Sequence, residues 1–293
     1  MRILVTGGTG YIGSRLCARL AHDNNNEVFS LQRPGHPHIH DVEVIEWNLS
    51  KPINESILPG RIDAIAHLAL ARDFRRFPEG VSDLFAVNVR TTIELLEYAR
   101  KAGASRFFMA STGNSNAPDQ GLMIGDQPVP PNDFYTASKL AAEALSRPYG
   151  SCFPVNILRA FFPYGPAQDA KTIQRIISRV RAKEAITLGE GLEGDGDHLS
   201  LIYVDDFVRA IVQSIEEAWN GLFDIAASEV LSIREIATEI GRQLGIDPVF
   251  EKGNFPTKKM IANLVELDKK SPGGFRRFSE GLATLLDEET LPR

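Results

Sequence analysis

The chain has 293 residues, of which 43% are apolar and 24% are charged. This length suits one large or two small globular domains whose apolar core needs no metal or disulfide to hold it. The formal net charge of -6 gives no broad basic surface, which argues against a protein built to bind nucleic acid or an anionic membrane.

Two features of the sequence predict a cytoplasmic protein. The only cysteines, Cys17 and Cys152, lie far apart in apolar runs, which is typical of packed thiols rather than of a disulfide. No signal peptide precedes the first predicted strand, and no apolar run is long enough to cross a bilayer.

Short β-branched runs alternate with helical patterns along the first 165 residues. Strands are predicted at 2–7, 27–32, 42–47, 63–69, 105–111 and 153–161, and helices at 11–23, 81–103 and 134–147. This alternation predicts an α/β fold in which helices cover both faces of a parallel sheet.

After residue 165 the loops lengthen, and short strands separate helices predicted at 171–183, 205–218 and 232–244. We expect two domains: a first domain over 1–165 and a smaller mixed α/β lobe over 166–293. The lobe would pack closely on the first domain, and the chain could pass from the lobe back into the first domain. Such a lobe would close over the C-terminal edge of the sheet, where open α/β sheets hold their ligands.

A glycine-rich stretch, TGGTGYIG (6–13), lies at the first junction between a strand and a helix. In a dinucleotide-binding turn, Gly7 would permit the tight turn, Gly10 would let the backbone approach a pyrophosphate, and Gly13 would let helix pack on strand. The helix N terminus then offers free N–H groups to the phosphates. A simple tight turn is the alternative, but the position in a βαβ unit favours a nucleotide.

The second predicted strand ends in Gln32 and Arg33, where a dinucleotide fold often has an acid that binds the ribose 2′-hydroxyl. The missing acid and the adjacent cation favour NADP over NAD, because Arg33 can contact a 2′-phosphate. A solvated loop arginine is the alternative.

The stretch YTASK (135–139) places Tyr135 and Lys139 four residues apart, on one face of a helix. A nearby cation favours the phenolate, so the tyrosine can act as a general base near neutral pH. Ser111 and Thr112 end the fifth predicted strand and could hold a substrate oxygen beside the phenol. By itself, the tyrosine–lysine spacing is also common on ordinary helices, but the three elements together favour catalysis.

In these elements the chain resembles the extended short-chain dehydrogenase/reductases, the NAD(P)-dependent epimerase/dehydratase family. The motifs that carry the resemblance are TGGTGYIG (6–13), WNLS (47–50), HLAL (67–70), Asn88, STG (111–113), YTASK (135–139), LRAFFPYGP (158–166) and IYVDD (202–206). The resemblance implies a Rossmann-type doubly wound sheet with a C-terminal substrate lobe. It also implies a homodimer formed through the helices matching 81–102 and 134–147.

The resemblance also implies roles for individual residues. Tyr135 would be the acid/base, Lys139 would bind the nicotinamide ribose and lower the tyrosine pKa, and Thr112 would bond the substrate oxygen. Further substrate contacts would come from Ser111, Phe162 and His198. The cofactor would contact Gly7, Gly10, Tyr11, Ile12, Gly13, Gln32, Arg33, Asn48, Leu49, Leu68, Ala69, Leu70, Asn88, Tyr135, Lys139 and Phe161.

Departures from the family pattern bear on the substrate. Gly113 and Asn114 follow the Ser-Thr pair where dehydratases and decarboxylases usually have an acid, so dehydration is not expected. Phe162 replaces an asparagine that is usual in nucleotide-sugar enzymes, and Leu199, next to His198, replaces an arginine. Two expected diphosphate contacts are therefore apolar.

Three functions stay open. The first is an NAD(P)-dependent oxidoreductase or epimerase acting on a carbohydrate hydroxyl or carbonyl. A nucleotide sugar is one candidate substrate, and the reaction would be that of a 4-epimerase or a 4-ketoreductase. The second is an NADPH-dependent ketoreductase of a non-sugar metabolite. The third, a cofactor-binding sensor without turnover, ranks last because Tyr135 and Lys139 are both present.

HPHIH (36–40) could align three histidines for Zn²⁺, but a solvated loop is favoured and no metal site is predicted.

Overall fold

The computed structural model describes residues 1–72, 74, 76–113, 123–124, 127–128, 133–168, 171–190 and 194–290. Its central feature is a seven-stranded sheet. The strands are β1 (Arg2–Thr6), β2 (Glu27–Gln32), β3 (Glu43–Glu46), β4 (Ala64–His67), β5 (Arg106–Thr112), β6 (Val155–Ala160) and β7 (Gly221–Ile225).

The strands lie in the order β7-β6-β5-β4-β1-β2-β3. Ile3 of β1 pairs in parallel with Val28 of β2 on one side and with Ala64 of β4 on the other. The chain order reverses between β1 and β4, which is the position where open α/β sheets form a ligand crevice. The predicted doubly wound parallel sheet is confirmed.

The chain folds into two compact units, each discontinuous in sequence. The first contains the described residues within Met1–Ser115, Pro131–Arg159 and Val208–Phe223, and the second contains those within Asn116–Pro130, Ala160–Phe207 and Asp224–Arg293.

Helices of the first unit follow the predicted pattern closely. They are α1 (Tyr11–Ala21), a long helix that runs through Val81–Leu84, Phe85–Arg90 and α2 (Thr91–Ala102), and α3 (Phe134–Ser146). Gly103 ends the long helix with a φ of +77°, a left-handed conformation that glycine adopts without steric cost. The segment Phe85–Arg90 is π-helical and was not predicted. Short 3₁₀ turns lie at Glu55–Ile57 and Arg147–Ser151.

The second unit contains helices and short strands around its own apolar core. The helices are α4 (Thr172–Ala182), α5 (Val204–Glu216, which continues into the first unit), α6 (Ile233–Leu244), Val265–Asp268 and α7 (Phe278–Thr290). The short strands are Met123–Ile124, Gln127–Pro128, Pro163–Tyr164, Ile186–Glu190, His198–Ser200, Ile202–Tyr203, Val230–Ser232, Phe250–Pro256 and Lys259–Met260. Leu199, Ile236 and Leu282 are fully buried in this core.

The residues after 253, for which the sequence made no prediction, complete this second core. Phe278 and Leu282 of α7 are buried in it, and Arg276 forms a two-pronged ion pair with the buried carboxylate of Asp206. Within the described part of the chain, no helix combines the length and apolarity needed to span a membrane.

Candidate active site

The turn between β1 and α1 is closely packed, and at Gly7 and Gly13 a Cβ would meet backbone atoms that cannot rotate away. Gly7 has a φ of +74°, and a Cβ placed there would lie 2.8 Å from the backbone nitrogen of Ala69. A Cβ on Gly13 would overlap the carbonyl oxygen of Gly7 and lie 2.8 Å from its carbonyl carbon. Gly8, which the sequence did not single out, packs against the side chain of Ser30. The loop therefore lies close against Ser30 of β2 and against the backbone of Leu68 and Ala69, which follow β4.

This loop lines a cavity of about 320 Å³ along the C-terminal ends of β1, β2 and β4. Gly10 is the N-cap residue of α1 and has no side chain that could accept a hydrogen bond. The first backbone N–H groups of α1, which face the cavity region, therefore receive no side-chain cap. The predicted cofactor residues that line the cavity are Gly7, Gly10, Tyr11, Ile12, Gly13, Gln32, Arg33, Asn48, Leu49, Leu68, Ala69 and Leu70. Arg72, Asp83 and Ala110 also line it and were not predicted. The glycine-loop backbone and the helix N terminus at this cavity are the groups that hold a dinucleotide pyrophosphate in open α/β folds.

At the end of β2, Gln32 and Arg33 differ in their surroundings. Gln32 is buried, and its amide nitrogen lies 3.4 Å and 3.3 Å from the carbonyl oxygens of His36 and Pro37. Arg33 is exposed and makes no hydrogen bond or ion pair within the described residues. Arg33 is thus a charged cavity-lining group that a ligand can engage.

Tyr135 is placed by the start of α3. Asp133 caps this helix, since its carboxylate accepts hydrogen bonds from the backbone nitrogen of Thr136 at 2.8 Å and from its hydroxyl at 2.7 Å. Tyr135 therefore lies in the first turn, where its ring packs 5.0 Å from that of Phe74.

Lys139 lies one turn further along α3 and is buried. Its ammonium donates a hydrogen bond of 3.1 Å to the carbonyl oxygen of Ala110, at the end of β5. Burial lowers the pKa of Lys139 to about 8, because a low-dielectric surrounding disfavours the charged form, while the carboxylate of Glu143 acts in the opposite direction.

A buried network of charged and polar side chains begins one helical turn beyond Lys139, and the sequence analysis did not predict it. Glu143 accepts hydrogen bonds from Ser111 Oγ at 2.5 Å, from Arg159 Nε at 2.9 Å and from Arg159 Nη2 at 2.6 Å. Glu143 is 1% exposed and Arg159 is 9% exposed. The signals that could have found it are an arginine inside the apolar strand NILRAF and a glutamate four residues after Lys139.

Two further buried polar residues, Asn88 and His67, lie near Tyr135 and Lys139. Asn88 lies in the π-helical segment, and its amide donates a hydrogen bond of 2.9 Å to Ser138 Oγ, which in turn donates to the carbonyl oxygen of Tyr135 at 2.8 Å. His67 lies 2.7 Å from the hydroxyl of Thr6. Burial lowers the pKa of His67 to about 3, with the charge of Lys139 acting in the same direction, so the imidazole is neutral. Asn88, predicted as a cofactor contact, does not line the cavity.

The remaining predicted site residues lie in the second unit, apart from Thr112, which is buried at the end of β5. Phe161 is buried, and its backbone nitrogen donates to Ile225 at 3.2 Å. Phe162 has a φ of +38° and packs on the core of that unit. His198 is partly exposed, whereas Leu199 beside it is 1% exposed. Asn114 lies outside the described residues.

Three comparisons with known proteins agree with this arrangement. Residues 3–226 match the model of the NAD-dependent epimerase/dehydratase family. A UDP-glucose 4-epimerase of Mycolicibacterium smegmatis is 30% identical over 269 residues, which cover 84% of this chain and 83% of the relative. UDP-glucuronic acid decarboxylase 1 of Arabidopsis thaliana is 27% identical, over 85% of this chain and 59% of the relative.

The fold itself matches a crystal structure of UDP-glucuronic acid 4-epimerase from Bacillus cereus in complex with UDP-glucuronic acid and NAD. The TM-score is 0.81, and the match covers 98% of each chain at 22% sequence identity. At that identity the likeness establishes the fold alone.

Proposed function

The chain belongs to the NAD-dependent epimerase/dehydratase family and is an enzyme, and from that premise we propose that it oxidises and reduces, or epimerises, a carbohydrate carbon within a nucleotide sugar. The observation that carries the proposal is one helix, α3, which holds Tyr135 in its first turn and the buried Lys139 in the next. The relative that is 30% identical is named a UDP-glucose 4-epimerase, which favours carbon 4 of the sugar.

The residues present fit a bound dinucleotide, since the glycine loop presents backbone rather than side chains to the cavity. Gly7, Gly10 and the N terminus of α1 would hold the pyrophosphate. Bound NAD or NADP would supply the acceptor and donor of hydride. In this division the first unit binds the cofactor and contains Thr112 and Tyr135, and the second contains Phe162 and His198, which are further proposed substrate contacts.

In the proposed reaction, Tyr135 takes a proton from the substrate hydroxyl while that carbon is oxidised, and returns it when the carbon is reduced. Lys139, as a cation on the same helix face, favours the phenolate and binds the nicotinamide ribose. Thr112 donates a hydrogen bond to the substrate oxygen. Gly113, which follows it, has no acid to drive elimination, so dehydration and decarboxylation are not proposed.

The proposal is tested by incubating the protein with cofactor and UDP-glucose or UDP-glucuronic acid while recording proton NMR spectra. The expected product is the C4 epimer, without a 4-keto-6-deoxy sugar and without a pentose. Formation of either of those products would show that another residue supplies the acid that Gly113 lacks. If no UDP-sugar is converted while cofactor binds, the assignment of a nucleotide sugar is wrong.

A second candidate, an NADPH-dependent ketoreductase of a non-sugar metabolite, is favoured by Leu199. Its side chain is in the core of the second unit, so it offers a diphosphate neither a charge nor a hydrogen-bond donor. Oxidation of NADPH by small ketones, without conversion of UDP-sugars, would select this function. Tight cofactor binding with neither reaction would instead indicate a sensor.

We propose that the cofactor is NADP rather than NAD, on the strength of Arg33. Its guanidinium lines the cavity without a protein partner among the described residues, and Gln32 provides no carboxylate to repel a 2′-phosphate. A charge-assisted contact contributes about 1.5–3 kcal/mol. Arg33→Ala should therefore lower the preference for NADP over NAD by roughly 10- to 150-fold.

Titration of both cofactors into each variant measures this preference. Arg72→Ala is the matched control, since Arg72 lines the same cavity but follows β4 rather than β2. That variant should leave the ratio of the two affinities unchanged. Tighter binding of NAD than of NADP by the wild-type protein, or an unaltered ratio in Arg33→Ala, would show that this role of Arg33 is wrong.

We also propose a cytoplasmic homodimer. Phe85 at the start of the π-helical segment is 54% exposed, and Leu145 of α3 is 45% exposed, which leaves apolar surface on both helices expected at the dimer contact. The thiols of Cys17 and Cys152 are free, as is usual in a reducing compartment, but only Cys17 is packed as the sequence predicted, and Cys152 is exposed. Sedimentation equilibrium should give twice the chain mass, and Leu145→Lys should give the mass of one chain.

A further inference from the structure

Among the described residues, Glu143 is the acid on helix α3 that contacts both the end of β5 and the strand β6. Its carboxylate is held by Ser111 on β5 and by the guanidinium fork of Arg159 on β6. A buried carboxylate bound in this way cannot change rotamer without breaking three hydrogen bonds.

The same carboxylate lies one helical turn from Lys139, on the face of α3 that the lysine occupies. The titratable groups around Lys139 are Tyr135 and Glu143 on its own helix, His67 on β4, and Arg159 on β6 behind Glu143. His67 is neutral, and Arg159 is paired. Glu143 is therefore the group that opposes the loss of the lysine proton on burial.

We propose that Glu143 is a positioning residue that keeps Lys139 protonated and turns the Ser111 hydroxyl away from the substrate, leaving Thr112 as the hydroxyl that contacts it. The proposal rests on the proposed function, because it is that function which needs a cation beside the Tyr135 phenol. It reassigns Ser111 from a substrate contact to a ligand of Glu143.

The consequence is a limit on activity at high pH. The pKa of Lys139 is lowered to about 8, so the cation is present below that pH and is lost as the pH rises through it. At pH 7 about nine-tenths of the lysine is charged for a pKa of that size. Without Glu143 the pKa would fall further, and the charged fraction at pH 7 would fall with it.

The test is an NMR titration of Lys139 in the full-length protein labelled with ¹³Cε-lysine, without cofactor or substrate. The Lys139 signal is assigned by its absence from the spectrum of Lys139→Arg. In wild type its midpoint should lie well below those of exposed lysines. In Glu143→Gln the midpoint should fall by about 1 pH unit or more, as expected on removal of a close opposite charge.

Ser111→Ala is the matched control, because it removes a hydrogen bond to Glu143 but no charge, and its Lys139 midpoint should stay near the wild-type value. Since Glu143→Gln removes the carboxylate that pairs with the buried Arg159 and can unfold the protein, the charge-free variant Glu143→Gln/Arg159→Gln provides a second test. Its midpoint should also fall. A wild-type midpoint in whichever of these variants folds would overturn the proposal.

The titration separates this proposal from the function on which it rests. It contains no substrate, so a wrong substrate class leaves the lysine midpoints as they are. Once a substrate is known, the alkaline limb of the pH profile of kcat/KM should move to lower pH in Glu143→Gln and stay in place in Ser111→Ala.

Discussion

Tyr135→Phe is expected to lower turnover by about 10²–10⁴-fold, the usual contribution of a general acid/base, while fold and cofactor affinity stay unchanged. The substitution removes only the phenolic oxygen and keeps the ring that packs 5.0 Å from Phe74. Steady-state kinetics and cofactor titration on the same preparation measure the two effects separately.

Tyr149→Phe is the matched control for this prediction. The hydroxyl of Tyr149 donates a hydrogen bond of 2.6 Å to Glu97, and neither residue lines the cofactor cavity. Turnover should therefore be close to that of wild type. Near-normal turnover of Tyr135→Phe, with cofactor bound, would show that another group moves the proton.

Gly13→Ala is expected to destabilise the protein by about 3 kcal/mol, the upper end of the usual cost of overpacking. The new Cβ would overlap the carbonyl oxygen of Gly7, which is backbone and cannot rotate away. For a chain of 293 residues, whose entropy of unfolding is about 0.6 kcal/mol/K, the melting temperature should fall by roughly 5 °C. Because the loop must open to admit the methyl group, cofactor affinity should fall as well. Thermal unfolding with and without cofactor measures both effects.

Gly60→Ala is the control for the general effect of replacing glycine. A Cβ at that position meets no atom within 4 Å, so stability should change by no more than about 0.5 kcal/mol. Equal melting temperatures for Gly13→Ala and wild type would mean that the tight contact between Gly13 and Gly7 does not constrain the loop.

The parts of the fold that the sequence predicted are those set by local pattern. The second strand was predicted at 27–32 and is observed at Glu27–Gln32, because β-branched and apolar residues there are bounded by asparagines and a proline. The cavity at the glycine loop follows from topology, since parallel strands bring Gly7, Gln32 and Leu68 to one edge of the sheet.

Features made by contacts distant in sequence were missed. Glu143 lies 32 residues from Ser111 and 16 from Arg159, and in sequence it resembles any glutamate on a helix. Only the packing of α3 on the sheet brings these three together. A short strand was expected between the helices predicted at 205–218 and 232–244, but the sequence did not place it in the central sheet, where β7 forms the far edge.

The strand order of the central sheet has a consequence for how a chain leaving the ribosome can fold. From β1, the strands β2 and β3 extend the sheet to one side, and β4, β5, β6 and β7 extend it to the other, each side in order of synthesis. Every new strand therefore joins an edge that is already open, and none has to insert between paired neighbours. Growth by edge addition lets nascent segments assemble as they emerge, which shortens the time for which apolar strands remain exposed to aggregation.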